Sequence, residues 1–336
     1  MIQITNPRRL VIFLLVVVLI IFGSAWLLVG GHKILHSGDL VIAEGSSAKQ
    51  TWQQLKDKNF TASTLPWRYY AWRQAAADKI KAGSYHLAKG ESVPDVMNRF
   101  VAGDTNPDEL TVTYPEGFTI QQIADRTAAK NIGTPEEFIA AASPPLYIDQ
   151  YPYLVDIPAG RDLEGYLFPD TYKIFVDDTP PDIIKRLLAN FDNKLTPELR
   201  TQAASSGRTV DQIVILASII EREVTSPEDM ATVSGILWKR FDNSAGLDVD
   251  ATVRYALKKW NDPLTYQDLQ TDSPYNTRKY RGLPPGPISN PGLQALVAAV
   301  QPKTTDYYYY LSAPEGQTVF SKTNDEHNAN KAKYLK

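Results

Sequence analysis

From Leu10 to Gly30 the chain reads LVIFLLVVVLIIFGSAWLLVG, without a charged residue. About 20 consecutive apolar residues suffice to cross a bilayer, and no other feature of the sequence constrains the fold as strongly. Arg8 and Arg9 precede the run. That predicts a cytoplasmic N-terminus over residues 1–9 and a single transmembrane anchor over 10–30, with Trp26 near the outer interface. A cleaved signal peptide fits less well, because the run is too long and lacks an A-x-A site. The remaining ~300 residues contain no second such run and are expected to fold in water on the far side. A length of 336 residues leaves room there for two globular units.

Composition removes several function classes. With 35 basic against 38 acidic residues the formal net charge is −3, and no long basic run occurs, so nucleic acid is not an expected partner. Cysteine is absent, which excludes disulfides and thiol chemistry and removes the usual zinc ligands. His32 and His36 have the i, i+4 spacing of a ligand pair, but they follow directly on the apolar run with no third ligand near. A solvated linker is the better reading, and neither metal nor cofactor is expected.

Three segments share one grammar: Glu44-Gly-Ser-Ser47, Lys89-Gly-Glu-Ser92 and Glu116-Gly-Phe-Thr119. In each, a Ser or Thr two places after glycine can cap a helix whose apolar positions then recur at i, i+3, i+4 and i+7. Strand-like stretches precede them at 39–43, 83–87 and 110–114. Pro66–Ala77 reads as another helix whose aromatics suit packing better than sugar faces. Ala102–Glu109, with Gly103, Asn106 and Pro107, is the expected linker. It separates an extracytoplasmic subdomain over 31–109 from a helix-rich unit over 110–336. In the second unit helices are expected at 135–142, 182–193, 211–224, 227–241, 251–259 and 291–300. Strands are expected at 171–176, 307–311 and 318–321, the last two forming a hairpin. The fold class is therefore α+β.

IVILASIIEREV, from Ile213 to Val224, delivers two glutamates at the end of an apolar helix. Ser226 and Pro227 mark a new helix start, so the earlier helix ends near Val224 and Glu221 lies in its last turn. Apolar neighbours, the negative end of the helix dipole and repulsion from Glu223 or Glu228 would all keep a carboxyl at Glu221 protonated; Arg222 would oppose them. Such a group can act as a general acid. A solvated charge cluster is the competing reading. Glu221 and Glu223 are roughly 200° apart around a helix and cannot form a catalytic pair. A two-carboxylate hydrolase would therefore need Glu164, Asp248 or Asp250 as partner. Glu164 either lines a groove or caps a turn. Asp250 stands where a cap for a helix from Ala251 belongs. Tyr275, Asn276 and Thr277 are loop polar groups suited to sugar hydroxyls or N-acetyl carbonyls.

ASIIERE (217–223) resembles the active-site signature of the endolytic murein transglycosylases, the MltG or YceG-like family. Further stretches agree in order: YPEGFTIQQIA (114–124), LEGYLFPDTY (163–172), VDATVRY (249–255), SPYNT (273–277), GLPPGPI (282–288) and EHN (326–328). Several motifs in one order make the resemblance specific from about Lys81 onward. It implies a single-pass enzyme of the cell inner membrane with its bulk in the periplasm, and a LysM-like subdomain before the catalytic domain. It also implies cleavage of MurNAc–GlcNAc bonds within nascent peptidoglycan strands, without water, leaving 1,6-anhydro-MurNAc ends. The resemblance makes Glu221 catalytic and suggests peptidoglycan synthases (penicillin-binding proteins and glycosyltransferases) as neighbours. A non-catalytic glycan-binding scaffold and a hydrolytic muramidase are the alternatives.

Overall fold

A computed structural model describes residues 32–105, 109–260, 262–314 and 316–335. The apolar run 10–30 and the centre of the expected linker lie outside them. The chain forms two compact units, one comprising the described residues up to Leu110 with Phe175–Asp178, the other Thr111–Ile174 with Thr179–Lys336.

In the first unit β1 (Gly38–Ile42) pairs antiparallel with β2 (Gly83–Leu87), Leu40 opposite Tyr85. Helices α1 (Ala48–Asp57), α2 (Leu65–Arg73) and α3 (Val93–Ala102) supply most of the rest of its core, with Ile34, Phe60 and Ala76 from the loops. The glycine-then-hydroxyl grammar is realised at two of the three helix starts here, those of α1 and α3, and at one in the second unit. Gly45, Gly90 and Gly117 adopt φ of +77°, +88° and +75°, a left-handed turn that glycine enters without steric cost. Two residues later Ser47, Ser92 and Thr119 accept the N–H of Gln50, Asp95 and Gln122. Trp67 is fully buried, with ring centroids 5.6 Å from Trp52 and 6.1 Å from Phe100. Burial of one such side chain contributes about 1.5–3 kcal/mol. Most aromatics of α2 therefore serve packing; Trp72, 78% exposed, does not. Phe175–Asp178 closes this unit. His86 lies flat on Phe175 at 3.6 Å, between the carboxylates of Asp39 and Asp177 at 2.9 and 3.1 Å.

Strand β3 (Glu109–Thr113) pairs with β4 (Thr171–Phe175). The second unit continues through α4 (Ile120–Ala128), α5 (Pro135–Ala141), α6 (Pro180–Lys194), α7 (Pro197–Ser205), α8 (Val210–Glu223) and α9 (Pro227–Asp242). It ends with α10 (Asp250–Leu257), α11 (Tyr266–Leu269), α12 (Leu293–Val300), the hairpin β5 (Tyr309–Ser312) and β6 (Thr318–Ser321), and α13 (Asn324–Tyr334). Every residue of α8 from Ile213 to Ile220 is buried, and the helix packs against α7, α9, α10 and α12. A helix apolar on all faces has no stable place except such a centre. The protein is α+β, as the sequence indicates. Helices α7, α11 and α13 are additions to the sequence reading. Helices α7 and α13 each bury one residue, Ala203 and His327, and α11 buries none, so none carries the apolar stripe by which a helix is recognised.

Candidate active site

Thr209 and Gln212 form a capping box that starts α8, and Val224 ends it by turning extended (φ −144°, ψ 153°). Glu221 is thereby held in the last turn, half-buried. Its Oε2 accepts the backbone N–H of Gly292 at 3.0 Å. Among the described residues nothing bonds to Oε1. Burial raises the proton affinity of this carboxyl above the ordinary carboxylate value. The Gly292 N–H opposes that rise, the charge of Glu116 adds to it, and Arg222 opposes it. The Glu116 carboxylate lies so close to the Gly292 Cα that a Cβ there would stand 1.8 Å from Oε1 of Glu116. The acid anticipated beside Glu221 is thus Glu116 rather than Glu223 or Glu228. Glu228 pairs with Lys303 at 3.3 Å.

Glu223 points elsewhere. Its carboxylate accepts the Tyr310 hydroxyl and the Ala251 N–H, and burial pushes its pKa up to about 7. Arg222 is exposed, with its guanidinium 4.9 Å from the centre of the Trp260 ring. The sequence ERE is therefore not a uniformly solvated cluster. It is a branch point that sends each side chain to a different neighbour.

The loop that brings Gly292 to Glu221 is anchored one turn earlier on α8. Ile288 N–H donates to Ser218 Oγ at 3.0 Å, and Ser289 Oγ donates to Ser218 O at 3.2 Å. Asn290, fully buried, ties three segments together. Its Oδ1 accepts Leu167 N–H at 2.9 Å; its Nδ2 donates to Phe118 O at 3.0 Å and Glu164 Oε1 at 2.9 Å. Its main chain exchanges bonds with Gly117 and Phe118 at 2.9 and 2.8 Å. Gly165, at φ +90°, permits this closeness: a Cβ there would stand 2.6 Å from Pro287 and 2.7 Å from Val214.

Glu164 is 3% exposed. Both its oxygens accept Ile120 N–H, at 2.9 and 3.1 Å, so it satisfies an orphan donor at the start of α4. Of the two roles open to it, the geometry supports capping. Burial pushes its pKa from an ordinary 4.5 to about 8. The folded form therefore keeps a proton that the unfolded chain releases near 4.5. The stability this group contributes is full below that value and declines as pH rises toward about 8. Glu164→Gln keeps an acceptor for Ile120 and Asn290 and is expected to remove that decline. Urea unfolding between pH 5 and 8 should show the wild-type slope, up to about 1.4 kcal/mol per pH unit, flattened in the variant. An unchanged slope would show that Glu164 is already ionised.

The other candidates fall into two groups. Asn276 and Thr277 are buried. Asn276 Nδ2 donates to Leu269 O and Thr271 O at 3.0 and 2.9 Å, while Thr277 Oγ1 accepts Val249 N–H at 3.1 Å. These polar atoms hold loops. Tyr275 is half-buried, its ring 5.0 Å from that of Tyr255, whose hydroxyl approaches Glu164 at 3.5 Å. Asp250 does not cap α10: the cap is Val249, Asp250 is already helical, and its carboxylate takes Arg278 Nε at 2.6 Å. The arginine outcompetes the helix start because it offers a full charge rather than a partial one. Asp248 pairs with Arg240. Among the described residues no group of three or more His, Asp or Glu is placed to hold a metal ion.

The model of the YceG-like family matches residues 40–333. The chain belongs to this family. An endolytic murein transglycosylase of Bacillus subtilis (strain 168) is 33% identical over 304 residues, covering 88% of this chain and 84% of that protein. An endolytic murein transglycosylase of Streptococcus pneumoniae (strain D39) is 30% identical over 319 residues, and the chain spans 58% of that protein's length. The crystal structure of a yceG-like protein from Listeria monocytogenes superposes with a TM-score of 0.61 at 31% identity, covering 88% of this chain and all of that one. For this YceG-like chain, Glu116, Ser218, Asn290 and Gly292 are the site residues that sequence reading missed. Glu116 and Ser218 lie inside stretches that carry the family likeness, and Asn290 follows GLPPGPI by two positions.

Proposed function

We propose that this chain is a lytic transglycosylase that cuts within peptidoglycan strands. The carrying observation is the Glu221 carboxyl: half-buried, inclined to keep its proton, and fixed through Oε2 by the Gly292 N–H, with no partner for Oε1 among the described residues. With Oε2 accepting that bond, the proton resides on Oε1. Glu221 donates it to the oxygen linking MurNAc to GlcNAc as the C1–O bond breaks through an oxocarbenium-like state. The resulting carboxylate then takes the proton of the C6 hydroxyl on the same MurNAc, whose oxygen bonds to C1. The product is a 1,6-anhydro end, no water is consumed, and Glu221 returns to its acid form. The attacking oxygen belongs to the substrate and is already held near C1.

The likeness to endolytic murein transglycosylases supports this reading. So does the commitment of the carboxylates considered as hydrolytic partners: Glu164 to Ile120 and Asn290, Asp248 to Arg240, Asp250 to Arg278. On the same proposal residues 10–30 anchor the chain in the inner membrane, N-terminus inward, with its bulk in the periplasm. The unit before the catalytic domain is a LysM-like glycan-binding module, and peptidoglycan synthases are its neighbours. No described helix is long and apolar enough to cross a membrane; the segment 10–30 is outside that set.

Digesting purified peptidoglycan with the full chain and weighing the fragments tests the reaction. Lytic ends are one water lighter than hydrolytic ends. Hydrated ends would make the protein a muramidase, and release of nothing would make it a scaffold.

A further inference from the structure

We propose that a cleft beside Glu223 binds the acidic peptide carried by the glycan strand being cut; this rests on the peptidoglycan reading above. The cavity is about 470 Å³ and is lined by Glu223, Asp250, Arg278, Tyr309, His327 and Lys331, among others. It lies within the second unit and shares no residue with the Glu221–Gly292 contact.

Its polar groups divide into spent and unspent. Each nitrogen of Arg240 is engaged: Nε donates to Gly246 O, Nη1 to Tyr308 O, and Nη2 to Asp248. Arg278 uses only Nε, on Asp250, and its two Nη groups have no partner among the described residues. Lys331 Nζ has none either. Asp248 and Asp250 are each neutralised by an arginine. The cleft thus offers unspent cationic donors without a competing free carboxylate, and an arginine fork suits a carboxylate ligand. His327 is 9% exposed and stacks on Tyr309 at 5.1 Å, and its buried Nδ1 has no hydrogen-bond partner among the described residues. A buried polar atom left without a hydrogen bond is costly, and here it stands beside the cleft. The Glu223 carboxyl on the cleft wall is itself engaged, accepting the Tyr310 hydroxyl and the Ala251 N–H.

The reach is right. Glu221 and Glu223 leave opposite sides of the last turn of α8, and a helix with its side chains is about 10–12 Å across. An extended peptide spans about 3.4 Å per residue. The path around half of that turn is about 16–19 Å, so a stem leaving a MurNAc held at Glu221 reaches the cleft with its fourth or fifth residue, and the free carboxylates of that stem supply the anion.

Two measurements on the full chain in detergent decide this. In the first, a stem-like tetrapeptide with free carboxylates is titrated into Glu221→Gln protein, followed by calorimetry. Saturable binding is expected, weakened about tenfold by Arg278→Ala, by Lys331→Ala, and by amidating the peptide's carboxylates. Absence of saturable binding, or binding indifferent to all three changes, overturns the proposal. In the second, wild type and the two variants cut strands bearing stems and strands stripped of them. The preference for stem-bearing strands should fall about tenfold in the variants with the rate on stripped strands unchanged; equal slowing on both overturns it. If wild type cuts neither strand, the transglycosylase reading fails, and the titration still decides whether the cleft takes the peptide. Lys331 is exposed, so its variant stays folded even if Arg278→Ala does not.

Discussion

Glu221→Gln is expected to lower fragment release from peptidoglycan by about 10³-fold or more while shifting the melting temperature by no more than about 2 °C. A positioned general acid contributes roughly 10²–10⁴ in rate, and here the same group also serves as base in the second step. The amide has nearly the same volume and keeps a carbonyl oxygen for the Gly292 N–H, now at 3.0 Å, so the fold loses little. What disappears is the transferable proton. The pH profile gives an independent check. Because the acid must be protonated, kcat/KM should fall as pH rises through the Glu221 pKa, and burial places that fall above the ordinary carboxylate range. Glu116 raises this pKa by its charge. Glu116→Gln should therefore move the alkaline fall to lower pH. Retained activity in Glu221→Gln, measured by mass spectrometry of released ends, would remove it from the acid role. An unmoved limb in Glu116→Gln would mean that another group sets the profile.

The largest stability loss is expected for Asn290→Ala, about 4 kcal/mol by urea unfolding. The substitution removes three side-chain hydrogen bonds, to Leu167 N–H, Phe118 O and Glu164 Oε1. Leu167 is fully buried, and an unmet buried donor costs about 1–3 kcal/mol. The vacated space adds to that. Activity should fall as well, because the loop that presents Gly292 to Glu221 is tied at Asn290. Ser218→Ala, which releases only the Ile288 end of the loop, should be the milder change. A loss below about 1 kcal/mol for Asn290→Ala would show that packing alone holds the three segments.

The elements that proved legible are those built from local signals. A hydroxyl cap two residues after a left-handed glycine is a contact within four positions, and Ser47, Ser92 and Thr119 all make it. The buried run of α8, the cap at Ser226 and the place of Glu221 in the final turn were legible for the same reason. Helix α13 escaped because its polar sequence buries only His327. Asp250 was misjudged because a cap is recognised by position alone, whereas Arg278, its actual partner, comes 28 residues later.

Hydrophobic periodicity and chain-breaking signals act over one or two turns, so the order of residues is enough to place a carboxyl at the end of a buried helix. What that carboxyl can do is set by distant segments folding onto it. Proton affinity depends on desolvation and on whichever charges and dipoles come near. Those groups, the Gly292 N–H and the Glu116 carboxylate, arrive from loops far away along the chain, brought in by Ser218 and Asn290. Glu223 shows the contrast: two residues on, in the same helix, it is turned toward Tyr310 and Ala251 and has a different role.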